Sequence, residues 1–436
     1  MKSALQNFFS EMRASYWYIP LMMLLLTVLL ATLTLQLDEM RPFEWLGQIS
    51  WLVGHNPDGA RSFLSTIATA MITIVSVTFS MTLLAVSFAG SQIGPRLTSN
   101  FMRDTSNQVA LGTFIATFLY CLLIMRAIVK NNATNMMELN THFVPQISLF
   151  IALLMAIGSL MMLIYFIHHI PESINMSNVV ARVGEALFKQ ADKRFPVNVG
   201  KSVEDSKVNI SHDYHKHLTT IPADQHGYIR ILDATSLVEL AEQQNCILQL
   251  EANIGDFITE NSPLLTVYSK KPVTEKFVKQ CQKAYAVGHQ RNQEQDLEFL
   301  INELIEIIAR ALSPGVNDPF TAMNAMDWLC LFLQKIANTK TPYRARLDSE
   351  GHVRLLTNFK DFYYYAEHIF RRTYQYICKD YSMSMYTLKL LQKLSEQIDA
   401  EYKTFLNEQA QFLIDDARNS IGDLSLQKSL QSFYNP

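Results

Sequence analysis

Hydrophobic positions fall into long unbroken blocks in the first 170 residues and into short periodic runs afterwards. Four apolar blocks, at about 17–37, 63–88, 109–128 and 147–167, approach or exceed the roughly 20 residues a helix needs to cross about 30 Å of hydrocarbon. They predict a transmembrane domain over 1–170. Lys2 and Arg13 precede the first block, whose apolar core is longer than a signal-peptide core of about 7–15 residues, so it reads as a retained anchor. Residues 171–195 keep a helical period, with Ile174, Val179, Val183, Leu187 and Phe195 near one face, and read as a helical stalk. A polar linker is expected over 196–220. Over 221–270 the strand-like runs GYIRILD, CILQLEA and PLLTVYS predict a small β module of barrel-like form, with Gly255 and Asp256 at a turn. Residues 271–436 read as mainly helical, with a hairpin in YRARLDSEGHVRLLT. The expected fold class is therefore an α-helical integral membrane protein with four transmembrane helices and a cytoplasmic α/β domain.

Composition changes this picture only by giving it an orientation. The net charge is −3 and 18% of residues are charged, a balance that argues against a nucleic-acid partner. Lys2, Arg13, Arg96, Arg103, Arg182, Lys189, Lys193 and Arg194 fall on one side of the expected spans, and Arg41, Arg61, Arg126 and Lys130 on the other. This bias places both termini in the cytoplasm. Five scattered cysteines without a C-x-x-C spacing fit isolated thiols in a reducing compartment.

The second block carries a hydroxyl on nearly every turn. Ser62, Thr66, Thr69, Thr73, Ser76, Ser80, Ser87 and Ser91 are spaced by four and three, with one gap near Leu83 and Leu84. That spacing keeps them on one helix face. Two readings stand: the face lines a water path shared by several copies, or it packs against neighbouring helices through small side chains. No ionisable side chain lies between Phe63 and Phe88, which favours a passive path over a coupled pump. Arg96, just past the helix stop at Gly94 and Pro95, would draw anions to one mouth. Ala152, Ala156, Gly158 and Ser159 form a second small-residue face, read as packing.

A further motif lies in EIIARALSPGVNDPFTAMNAMDWLCLFL. Pro314 and Gly315 end one helix, and Asn317 or Asp318 caps the next, with Pro319 in its first turn. The backbone N–H groups from Val316 to Thr321 are expected near a positive helix end, where an anion or carboxylate would sit; the other reading is a rigid corner locking an interface.

The segments RALSPGVNDPFTA, SQIGPR and GYIRILD…GDFITENSPLLTV together resemble the bacterial family of predicted membrane proteins called domain of unknown function 2254. The resemblance covers nearly the whole chain and implies four membrane helices, a cytoplasmic domain and no settled activity. It assigns Arg310, Ser313, Pro314, Asn317, Asp318, Pro319 and Thr321 to the family's central motif, and Gln92, Pro95 and Arg96 to the motif after the second block. Two positions depart from the pattern: no Arg-Pro precedes Gly255, and Leu300 stands where a glycine is usual. The G-D-F…P-L-L-x-V string is also similar to half of a lipoyl-type barrel, but no lysine occupies its turn.

No P-loop, G-x-S-x-G, H-E-x-x-H or dinucleotide glycine pattern occurs, so no enzyme is expected and no cofactor or metal. His212, Asp213, His215 and His217 read as a solvated loop rather than a metal site, and His168 and His169 as interface anchors rather than pH sensors. Two functions are carried forward. The first is a homo-oligomeric channel in the bacterial inner membrane, of about three to six copies, passing a small ion and regulated by the cytoplasmic domain. The second is a membrane-anchored sensor or scaffold that binds a ligand or partner through the Ser313 to Thr321 corner. Expected partners are membrane lipid, further copies of the chain, and a small ion or anionic ligand.

Overall fold

The computed structural model describes residues 17–40, 56–92, 104–128, 143–196, 199–204, 214, 216–339 and 342–433. Several residues weighed above lie outside them: Lys2, Arg13, Arg41, Gly94, Pro95, Arg96, Arg103, Lys130, His212, Asp213 and His215. The chain divides into two compact units at Asn175/Met176.

The first unit holds four helices long and apolar enough to cross a membrane: α1 (Tyr18–Met40), α2 (Pro57–Gln92), α3 (Thr105–Ala127) and α4 (Gln146–Ile174). The boundary expected at Pro171 moves to Asn175, because α4 carries Pro171 inside it. Burial identifies α3 as the central helix, since half of its apolar window is enclosed against 22% for each of the others. Phe114, Tyr120, Cys121 and Ile124 supply its part of the core, with Ala31 of α1, Leu64 and Met71 of α2, and Leu149 and Ala152 of α4. At Gly112 a Cβ would lie 2.5 Å from the Met23 side-chain sulfur and 3.3 Å from the Pro20 Cα of α1, so glycine eases this close approach.

Polar side chains tie the bundle together where water is absent. Thr34 and the Tyr120 hydroxyl lie 3.0 Å apart, and the Tyr120 hydroxyl donates to the Ser148 carbonyl at 3.3 Å. Thr117 and Ser159 pair at 2.9 Å. Ser159 and Ala152 are thus packed, as the small-residue face implied, while Gly158 faces open space. Pro145 gives α4 no side-chain cap of its own. Asp38 of α1 takes that role, accepting from the Ile147 N–H at 2.8 Å, the Ser148 N–H at 3.1 Å and the Ser148 hydroxyl at 2.7 Å. A carboxylate at a helix N-terminus complements its dipole.

The second unit begins with α5 (Met176–Ala191), the segment expected to be a stalk. It is instead packed into the body: a Cβ on its Gly184 would lie 2.2 Å from the ring of Trp328, and Lys335 reaches its Phe188 carbonyl and Asp192. The expected linker contains β1 (Lys201–Val203) and the start of β2 (His217–Pro222). There follow β3 (Gly227–Leu232), α6 (Ala234–Gln244), β4 (Cys246–Leu250), β5 (Phe257–Ile258), β6 (Pro263–Ser269), α7 (Glu275–Gln282) and β7 (Tyr285–Gly288).

These strands do not close into the expected barrel among the described residues. They form two open sheets, ordered β1-β8-β9-β4-β6-β2 and β5-β3-β7, with β8 (Ala345–Leu347) and β9 (Val353–Leu356) supplied by the hairpin. β5 and β6, which carry the lipoyl-like string, lie in different sheets. Their separation follows from pairing: β6 runs antiparallel to both β2 and β4, whereas β5 pairs with β3. Leu248, Leu265, Val267 and Leu355 form one apolar face of the larger sheet, against α6 and α7. The remaining helices are α8 (Leu297–Ala311), α9 (Pro319–Ala337), α10 (Phe362–Ile377), α11 (Tyr381–Glu396), α12 (Ala400–Ser420) and α13 (Leu424–Phe433).

Candidate functional site

The hydroxyl row on α2 lies opposite the face by which α2 packs into its own bundle. Leu64, Ile67, Ala68, Met71, Thr78, Thr82 and Ala85 are buried, whereas Ser62, Thr66, Thr69, Thr73, Ser76, Ser80 and Ser87 are all exposed. At about 100° per residue, the seven hydroxyls fall within about 40° of a common line and the buried residues centre on the other side. Among the described residues the row therefore packs against nothing within the chain. Both readings of the row, a shared water path and packing against neighbouring helices, then concern contacts that the described residues of one chain do not themselves make.

Local bonds prepare the row for a low-dielectric setting. Thr66 donates to the Ser62 carbonyl at 2.8 Å, Thr73 to Thr69 at 2.9 Å, Ser76 to Ile72 at 3.0 Å and Ser80 to Ser76 at 2.9 Å. Each of these four hydroxyl protons thus has an acceptor one turn back, while the oxygen keeps lone pairs able to accept. Flanking positions Ile72, Phe79, Met81 and Leu83 are exposed and apolar. Gln92 ends the helix.

The Ser313 to Thr321 corner is a closed set of hydrogen bonds. The Ser313 hydroxyl donates to the Arg310 carbonyl at 2.6 Å. The N–H groups of Val316 and Asn317 donate to the Ser313 carbonyl at 3.1 and 2.9 Å, and that of Asp318 to the Ala311 carbonyl at 2.8 Å. Asp318 is the cap, accepting from the Thr321 N–H at 3.2 Å and the Thr321 hydroxyl at 2.6 Å. Asn317 instead takes the left-handed conformation, φ 48°, which asparagine tolerates better than most residues. Pro319 follows in the first turn, and Arg310 pairs with Glu306 at 3.3 Å.

The N–H groups expected to receive an anion are therefore largely engaged by the chain itself. The corner presents a different surface: Pro314 is exposed, Val316 is 47% exposed and Phe320 77% exposed. This is the geometry of a rigid apolar knob.

Residues outside the anticipated sets brace the same α8. Arg291 forms a two-pronged pair with Asp296, at 2.5 and 2.7 Å, and reaches Glu298 at 3.3 Å. Lys360 also donates to Glu298, as does the Tyr364 hydroxyl at 2.6 Å. Burial alone would raise the Glu298 pKa; the donors Lys360 and Tyr364, with the Lys360 and Arg291 charges, outweigh it and bring it down to about 2. A Cβ at Gly255, whose φ is +88°, would meet the Arg291 guanidinium at 2.6 Å and the Asp296 carboxylate at 2.7 Å. The G-D-F string thus makes room for an ion pair; the string was visible, but its charged partners lie about 40 residues on and gave no local signal.

Of the four residues in the histidine-rich run, His217 alone is described, on β2. His169 pairs with Asp104 at 2.7 Å. Among the described residues no group of three or more His, Cys, Asp or Glu side chains is arranged to hold a metal.

Four long apolar helices and a separate mixed α/β body define a multispan α-helical membrane protein. The chain belongs to the family described as predicted membrane protein (DUF2254), whose profile matches residues 13–393. It is similar to an uncharacterized protein of Mycobacterium bovis and to one of Mycobacterium tuberculosis, each 27% identical over 299 residues. Those alignments cover 68% of this chain and 56% of the relatives, so the chain spans little more than half the length of the curated relatives it matches. No solved structure matches.

Proposed function

We propose that this protein is a homo-oligomeric inner-membrane channel in which α2 from each copy turns its hydroxyl row toward a shared aqueous axis. The observation that carries this reading is the opposition on α2 of one packed and mainly apolar face, which also holds Thr78 and Thr82, and one uncovered hydroxyl face. A strip of seven hydroxyls set toward acyl chains contributes nothing there, whereas copies arranged about an axis hydrate it. Within the strip the accepting hydroxyl oxygens suit cations and water, so an anion preference has to come from Arg96 at the mouth. Orientation follows the basic residues, with both termini cytoplasmic. Asn175 alone separates α4 from α5, giving the body a short covalent link through which to regulate the path.

Purified protein reconstituted in planar bilayers passes ionic current on this reading, and Thr73→Leu with Ser76→Leu reduces it by more than about tenfold without changing expression, because both positions lie on the exposed face. Equal currents in both proteins, or no current in either across voltage, pH and tension, contradict it.

The second reading, a membrane-anchored sensor or scaffold, draws on the rigid corner with its exposed Val316 and Phe320. It predicts that Asp318→Ala, which releases the Thr321 cap, weakens partner binding and leaves ion flux unchanged.

A further inference from the structure

The hairpin of β8 and β9 holds two buried arginines that differ in their partners. Arg354, 5% exposed, donates through Nε to the Asp348 carboxylate at 2.7 Å and through Nη1 to the Asn245 side-chain oxygen at 2.9 Å. Arg346 is 2% exposed, and its Nε and Nη2 are shut from solvent with no acceptor among the described residues.

The ladder fixes where this side chain goes. Arg346 stands opposite Leu355 of β9 and Ser202 of β1, and residues directly opposite in an antiparallel ladder share a face. Leu355 belongs to the enclosed apolar face with Leu248 and Val267, so Arg346 brings a guanidinium to the covered side of the larger sheet. Arg354, one residue before Leu355, takes the other side. Burial pulls the Arg346 pKa below its usual value, with no carboxylate offsetting the fall.

A guanidinium keeps its proton, and a buried charge without a counter-charge is strongly unfavourable. Nothing among the described residues supplies that counter-charge to Arg346. The two open nitrogens set the shape of what would: Nε–H and the neighbouring Nη2–H point the same way and form a fork for two oxygens of one anion. Arg291 uses this same pair of nitrogens on the two oxygens of Asp296, at 2.5 and 2.7 Å. Access lies at β1, a three-residue strand at the end of its sheet, with β8 as its neighbour there and with Lys201 and Ser202 exposed. Short edge elements open at low cost, and Ser202 stands directly beside Arg346.

We infer that Arg346 anchors a binding site for a small oxyanion, phosphate or carboxylate, which enters at the β1 edge and sets two oxygens against Nε and Nη2. The site lies in the second unit, apart from conduction through α2, and binding is read without it. Calorimetry on the full chain in detergent, at constant ionic strength, compares inorganic phosphate, acetate and bromide. At least one oxyanion binds saturably and at least about tenfold more tightly than the single-atom bromide, and which one it is distinguishes phosphate from carboxylate. Arg346→Lys, which keeps the charge and loses the fork, weakens that binding at least about tenfold. Ser202→Glu, at an exposed position where folding is insensitive, sets a tethered carboxylate opposite the fork and weakens it as well. Absence of saturable binding by both oxyanions, equal binding of bromide, or unchanged affinity in either variant overturns the inference.

Discussion

Asn317 and Asp318 were equivalent cap candidates by residue type, and the backbone separates them. Asn317 adopts φ 48° while Asp318 holds the first turn of α9, an assignment that needed dihedral angles rather than letters. Asp233, Asp296, Asp361 and Asp380 cap other helices in the same way, so this part of the corner obeys a local rule and was legible. Glu298 obeys no local rule, because Lys360 and Tyr364 reach it from over 60 residues away. Its pKa falls from an ordinary 4.5 to about 2. A carboxylate depressed on folding stabilises fully above its unfolded pKa and loses that contribution as pH falls toward its folded one. Melting of the full chain in detergent should therefore drop more steeply from about pH 4.5 towards pH 2 in the natural protein than in Glu298→Gln. Parallel curves would show that the network contributes nothing to folding.

Among elements, α2 was legible because its two faces differ in chemistry, and the period of its hydroxyls survives in the fold with all described members uncovered. α3 was not legible as the central helix. It is apolar on all sides, so no period marks which face is enclosed, and its position rests on partners such as Met23 approaching Gly112. The β segments were visible as strands, but their sheets depend on distant pairings, including the parallel contact of β4 with β9. Four-residue β7 lay hidden in a stretch read as helix. Close approach gives the prediction at this scale. Gly184→Ala forces a Cβ to 2.2 Å from the Trp328 ring and should destabilise the protein by about 1–3 kcal/mol. Gly158→Ala, with nothing within 4 Å, should be near neutral. Thermal melting of the two variants checks both; equal melting temperatures would contradict the packing of α5 against α9.

At the scale of the whole molecule, four membrane-type helices and an α/β body are joined through Asn175, and the family assignment covers both. The division into an apolar first part and a charged second part was plain from composition. An arrangement of copies would leave no trace in a single chain except through a surface that the chain itself does not cover; on the proposed channel reading that surface is the hydroxyl row of α2, beside exposed apolar residues such as Phe79 and Leu84. The five native cysteines are all buried, which makes introduced thiols readable against a low background. The most direct measurement is the rate at which a charged, membrane-impermeant methanethiosulfonate modifies Thr69→Cys, Thr73→Cys and Ser76→Cys in reconstituted vesicles, against Phe79→Cys on the apolar flank. Modification of the three row positions at least about tenfold faster than at Phe79→Cys is the result expected of a wet axis; rates at all four positions as slow as one another would contradict it.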